Sequence, residues 1–231
     1  MSVTFQVNVY EKTYEMMLRD NYLNVLADSM KYPFEKKVLI INNVFDRIRV
    51  ADIVRNNYPD WKVYTLLNYN KPEYIDKFNL TYKEIEVGYN YSIQHYMAIY
   101  LCETDYLLHW SEDCTVGNID SNFIEDSIDI MNKDNAIICS MPSWDKDMVG
   151  PKIESVGEIG NFYKASGFTD QVYLARIDEF SKDIYHYQHN DSNRYPSYGG
   201  EAFEKRIDSY MKCCNKFRII NKSSFYVHKS L

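Results

Sequence analysis

The chain has 231 residues, 45% hydrophobic and 26% charged, enough for one large α/β domain or two small ones. A net charge of −7 with scattered Lys and Arg argues against a nucleic-acid backbone as main partner, and no apolar run reaches the length of a membrane span. Five cysteines without metal spacing, and an amino terminus lacking a charged-then-apolar leader, make a reduced, cytoplasmic setting the expectation.

Val3 to Val9 alternates and is rich in β-formers, which predicts a first strand. Tyr22, Leu23, Leu26 and Met30 recur at helical spacing, predicting a helix over Tyr14 to Met30 that Pro33 closes. Val38 to Ile41 is a continuous apolar run, the mark of a parallel strand buried on both faces, and Asn42-Asn43 ends it. A helix over Asp46 to Asn57, a strand over Trp61 to Leu67, a loop with Pro72 and a helix over Tyr89 to Cys102 follow. Tyr106-Leu107-Leu108 opens a strand that runs into Glu112-Asp113; a helix over Asp120 to Met131 and a buried strand over Ala136 to Ser140 come next. Pro142 to Gly167, interrupted by Gly, Ser and Pro, reads as a loop-rich insertion. The remainder reads as a strand over Phe168 to Ile177, a short helix over Glu179 to Tyr187 and turns over Arg194 to Gly200. A helix over Glu201 to Cys213 and closing strands at Phe217 to Ile220 and Ser224 to His228 complete it.

Strands and helices alternating with short connections predict a doubly wound α/β sheet, and one domain over 1–231. Right-handed crossovers would gather Tyr10-Glu11, Asn42-Asn43, Asn68-Tyr69 and Ser111 to Asp113 along one edge, and these polar strand tips predict a ligand cleft. Hard oxygen ligands at a strand tip suit Mg²⁺ or Mn²⁺, which bridge to a diphosphate rather than sit in an all-protein cage. Acids also open ordinary solvated turns, so Glu112 and Asp113 gain weight only from that surrounding cleft. No Gly-x-Gly-x-x-Gly follows the first strand, and neither a Walker lysine nor a Gly-x-Ser-x-Gly elbow occurs. That turns the reading away from dinucleotide dehydrogenases and P-loop enzymes. The 22 tyrosines are platforms for sugars and bases, or a bias of the source genome.

Val7 to Tyr14, Pro33 to Val44, Tyr106 to Asp113, Gly199 to Glu204 and Phe225 to His228 follow one another in a telling order. Together they resemble a GT-A-fold glycosyltransferase of the inverting family 2 type. The first two are similar to that family's opening strands, the third to the strand ending in an Asp-x-Asp or Glu-Asp-Asp metal motif. The fourth resembles an acceptor-side helix opened by a catalytic acid, and the last the strand whose late His completes the metal shell. The resemblance implies a GT-A-like sandwich with a mostly parallel sheet flanked by helices. It also implies a nucleotide-sugar-binding half at about 1–115 and an acceptor-binding half at about 116–231. The implied reaction is transfer from a nucleotide-diphospho-sugar to a glycan or polysaccharide-precursor acceptor, with Mn²⁺ or Mg²⁺ at Asp113 and His228. Ser111 stands where a first acid is often found, which leaves Asp113 as the direct ligand and Glu112 acting on water or ribose.

Sugar transfer needs the leaving diphosphate neutralised and a carboxylate that takes the acceptor's proton from the opposite face. Glu201 is the first candidate base because Gly199-Gly200 lets the backbone approach substrate, although a first-turn acid on the helix dipole explains it nearly as well. Asp170 is its rival. Tyr10 and Glu11 would meet base and ribose, with Asn43 and Asp46 at the second strand tip and Tyr89, Asn90 and Ser92 at a helix start. Asn43 equally suits a turn and Asp46 an N-cap. His228 is either a metal ligand or a half-buried strand histidine, and Trp144 either stacks on an acceptor sugar or fills a core. His186 and His189 read as surface. Two alternatives remain: a sugar nucleotidyltransferase, weakened by the absence of glycine after the first strand, and a non-catalytic sugar- or nucleotide-sugar-binding domain, kept open by Ser111.

Overall fold

In the apolar run at the second strand, Leu39 and Ile41 belong to one hydrophobic core while Val38 and Ile40 belong to another. A strand buried on both faces needs helices above and below it. The computed structural model describes residues 1–66, 73–143, 152, 155–193, 195 and 202–228, and these residues build that arrangement. The strands are β1 (Val3–Val9), β2 (Lys36–Asn42), β3 (Trp61–Leu66), β4 (Tyr106–Ser111), β5 (Cys114–Asn118) and β6 (Ala136–Ser140). They continue as β7 (Ser155–Ile159), β8 (Phe162–Ala165), β9 (Val172–Arg176), β10 (Phe217–Asn221) and β11 (Phe225–His228). The α-helices are α1 (Tyr22–Ser29), α2 (Arg47–Asn57), α3 (Glu73–Lys77), α4 (Tyr82–Ile85) and α5 (Tyr89–Leu101). After them come α6 (Phe123–Lys133), α7 (Ile177–Phe180) and α8 (Glu204–Cys213).

Among the described residues, nine strands form the central sheet in the order β3-β2-β1-β4-β9-β6-β10-β8-β7. Only β9 and β8 run against the others, so the sheet is mostly parallel, as the strand–helix alternation predicts. One face packs on α1, α2 and α6 through Leu23, Leu26, Val50, Val54, Ile124 and Ile128. The other packs on α5 and α8 through Ile93, Tyr96, Ile207 and Met211. Each such side chain, fully buried, contributes about 1.5–3 kcal/mol. β5 and β11 form a second, two-stranded antiparallel sheet.

Some elements differ from expectation for local reasons. The helix expected over Tyr14 to Met30 is broken: a 3₁₀ turn covers Tyr14–Leu18, Asn21 adopts a left-handed φ of 59°, and only then does α1 begin. The segment read as loop-rich, Pro142 to Gly167, contains the β7–β8 hairpin, which turns at Gly160 with a φ of +55°. β7 is an exposed edge strand with little apolar alternation, and its partner supplies the order. The strand expected from Phe168 begins only at Val172, which frees the preceding loop, and the helix expected over Glu179 to Tyr187 is the short α7.

Candidate active site

The acidic strand tip is locked by its neighbours. The Trp110 indole N–H donates to the Cys114 carbonyl at 3.0 Å, closing the Glu112-Asp113 turn between β4 and β5. β11 then pairs with β5 so that His228 lies opposite Cys114, and His228 Nε2 comes 3.1 Å from Asp113 Oδ2. Glu112, beside it, is buried and accepts a 2.8 Å hydrogen bond from Asn8 Nδ2 on β1. Burial pushes its carboxyl up to about 8, with Asp113 adding to the rise and hydrogen bonds from Thr13 and Ser111 opposing it.

A second acidic centre arrives from the loop before β9. Ser111 N donates to Gln171 O at 2.8 Å, which fixes that loop against the tip of β4. The Asp170 N–H donates to Glu204 Oε1 at 3.1 Å, and its carboxylate lies 3.6 Å from His95 Nε2. The start of the loop is pinned from below: Gly167, at φ +87°, donates its N–H to the buried Asp208 carboxylate at 3.0 Å. Ser192 and Lys212 hold the other oxygen of Asp208.

These groups face one cavity of about 540 Å³. Among the residues nominated from sequence, Tyr10, Asn43, Asn90, Glu112, Asp113, Asp170 and His228 line it. Asn43 does so from a left-handed φ of 54°, which makes it a turn residue as well. Asn42 and Ser111 at the strand tips line it too, whereas Glu11, Asp46, Tyr89 and Ser92 lie elsewhere. Glu11 accepts from the Phe45 N–H at 2.7 Å, bridging the ends of β1 and β2. Asp46 is exposed at the start of α2 without a side-chain capping bond, 3.6 Å from Arg49. Tyr89 and Ser92 are buried, Tyr89 against Tyr82, because a helix turns them away from the face that carries Asn90, Tyr91, Gln94 and His95. Glu201, Trp144 and Asn68-Tyr69 lie outside the described residues. Sequence reasoning missed Asn8, Tyr91, Gln94, His95, Gln171 and Glu204 on the cavity wall. The i, i+4 spacing of Asn90 with Gln94 and of Tyr91 with His95 was the available signal.

Among the described residues no three His, Cys, Asp or Glu side chains gather into a metal cage, and no helix is long and apolar enough to cross a membrane. Asp113 and His228 offer one carboxylate and one imidazole. That donor pair would suit a Mg²⁺ or Mn²⁺ ion that takes most of its ligands from outside the protein.

No family model matches the sequence, and no curated protein matches it. Solved structures do. S. aureus TarS 1–349 in complex with UDP-GlcNAc is similar with a TM-score of 0.54 at 12% identity, over 100% of this chain and 59% of that one. The same fragment in complex with UDP gives 0.53 at 14% identity, over 99% and 60%. TarS is a GT-A-type glycosyltransferase. This chain has the GT-A fold. A mycobacterial protein is also similar, with a TM-score of 0.51 at 8% identity over 100% of this chain and 68% of that one. The chain spans about three fifths of the TarS fragment. Within this GT-A fold the cavity opens at the carboxyl ends of β1, β2 and β4, where open α/β sheets take their ligands.

Proposed function

We propose that the chain is an inverting glycosyltransferase, moving a sugar from a nucleoside-diphosphate sugar to a hydroxyl of a glycan or polysaccharide precursor. The observation that carries this is the convergence of two acidic centres, Asp113 with His228 and Asp170 with Glu204, on one cavity at the strand ends. Residues up to about 115 bind the donor and the remainder presents the acceptor. Tyr10, Asn43 and Asn90 contact the nucleoside. Asp113 and His228 would hold Mn²⁺ or Mg²⁺, which would neutralise charge developing on the leaving diphosphate. Asp170 takes the acceptor's hydroxyl proton as the acceptor oxygen attacks the anomeric carbon. The bond from that carbon to the phosphate oxygen breaks, leaving its electron pair on the nucleoside diphosphate. Glu201 is the rival base. The TarS complexes with UDP-GlcNAc and UDP support a UDP-sugar as the first donor to try.

The test is thermal melting with UDP, GDP, CDP and dTDP, each with and without Mn²⁺. A ligand at about 100 times its Kd stabilises the folded state by about 2.7 kcal/mol, a clear rise in Tm. The proposal expects a shift with one nucleotide that needs Mn²⁺ and disappears in Asp113→Ala. A shift indifferent to Mn²⁺ keeps the donor site and removes the cation from the mechanism. No shift with any nucleotide would sink the donor site.

A further inference from the structure

His95 sits on α5 beneath the cavity floor, 2% exposed, in a cluster of rings. Phe203 stacks on it at 4.7 Å and 8°, and the His109 ring lies 4.5 Å away. Its Nδ1 is 3.0 Å from the Tyr173 hydroxyl, and its Nε2 faces the Asp170 carboxylate at 3.6 Å. We propose that His95 is a positioning residue for Asp170: Tyr173 donates to His95 Nδ1, which fixes the proton on Nε2 and aims it at Asp170 Oδ2, leaving the other carboxylate oxygen for the acceptor hydroxyl.

The tautomer follows from hydrogen-bond accounting. The Tyr173 hydroxyl is fully buried, burial holds it protonated, and His95 Nδ1 is its hydrogen-bond partner. With a proton on Nδ1 instead, the buried hydroxyl hydrogen would have no acceptor, and a buried donor left unpaired is costly. His109 cannot compete for the carboxylate as a cation, because burial holds its ring neutral, with Nδ1 against Gln6 Oε1. The 3.6 Å separation is longer than a hydrogen bond, as active-site contacts often are before substrate closes the site. Asp170, one third exposed, has its backbone tied to Glu204, so a rotation about its side-chain bonds is enough to tighten the contact.

The inference rests on Asp170 being the base, and two measurements separate it from that reading. Long-range ¹H–¹⁵N spectra of histidine-labelled protein report each ring's tautomer without substrate. His95 is expected as the Nε2–H form, with its Nε2 proton signal displaced in Asp170→Asn. An Nδ1–H form, or a signal indifferent to Asp170→Asn, overturns the proposal whatever the activity. In the transfer assay, His95→Phe and Tyr173→Phe, checked for retained fold by circular dichroism, should lower kcat about 10- to 100-fold with donor KM unchanged, the range for groups that orient a functional side chain. His95→Gln, which keeps an N–H near the Nε2 position, should stay within about fivefold of wild type. A His95→Gln as impaired as His95→Phe, or a Tyr173→Phe with full kcat, makes the role structural and overturns the proposal. Full transfer by Asp170→Asn, or none by the wild-type chain with any nucleotide sugar, overturns the base assignment and the proposal with it.

Discussion

Glu112→Gln should remove a pH dependence of stability that the wild-type chain carries. The side chain is 3% exposed, and burial holds its carboxyl at about 8 in the folded protein against an ordinary 4.5. Between those values the folded state keeps a proton that the unfolded state has released, so stability falls as pH rises through the window. A gap of about 3.5, at about 1.4 kcal/mol per pH unit, amounts to on the order of 4–5 kcal/mol, most of it lost by pH 8. The neutral carboxyl has a natural partner, since Asn8 Oδ1 is buried without a hydrogen bond and an amide rotation presents it to the acid proton. Glutamine offers Asn8 a neutral partner of the same shape at every pH. Urea unfolding should therefore find the two proteins within about 1 kcal/mol of each other near pH 5, and the variant more stable by on the order of 4 kcal/mol near pH 8.5. Taking the difference at each pH cancels the other groups that titrate there, the histidines included. A difference that stays flat across this range would refute the reasoning, because Glu112 would then be ionised inside the fold.

Gly117→Ala tests how firmly the β5–β11 sheet sets the Asp113–His228 pair. A Cβ at Gly117 would lie 2.3 Å from Phe225 Cε2 and 2.9 Å from the Phe225 carbonyl, so a strand must move, at a cost of about 1–3 kcal/mol. The Mn²⁺-dependent nucleotide shift should shrink along with Tm; an unchanged Mn²⁺ response would show that the pair tolerates movement of the sheet. Asp208→Asn removes the charge that faces Lys212 at 2.6 Å in a fully buried position and anchors Gly167. Urea unfolding should report a loss of about 3 kcal/mol, typical of a broken buried pair, and a loss below about 1 kcal/mol would contradict a buried ion pair there.

The sheet was legible because its inner strands advertise themselves. Val38 to Ile41 has apolar residues toward both cores, and β1 sends Val3, Phe5, Val7 and Val9 to one core, with polar Gln6 and Asn8 between them. The β7–β8 hairpin was illegible for the opposite reason, since an exposed edge strand has no periodic apolar face and is ordered by its partner. At the site, residues on strand tips were readable, because a tip is a place in the chain pattern. Residues chosen by helix phase were readable only in part: of Tyr89, Asn90 and Ser92, Asn90 alone faces the cavity, where Gln94 and His95 join it.

The Asp113–His228 pair belongs to neither class. The two residues are 115 positions apart, and nothing in the local sequence of either one signals the other. What joins them is the register of β11 on β5, with His228 opposite Cys114 and Val227 opposite Thr115. Side chains alternate along a strand, so a slip of one residue would carry His228 to the other face of the two-stranded sheet and present Val227 toward the acid instead. Trp110, buried and bonded to the Cys114 carbonyl, fixes where β5 begins, and the close packing of Phe225 over Gly117 fixes where β11 can lie. The pairing of carboxylate and imidazole thus rests on an indole and a missing Cβ, on two residues that do not themselves line the cavity.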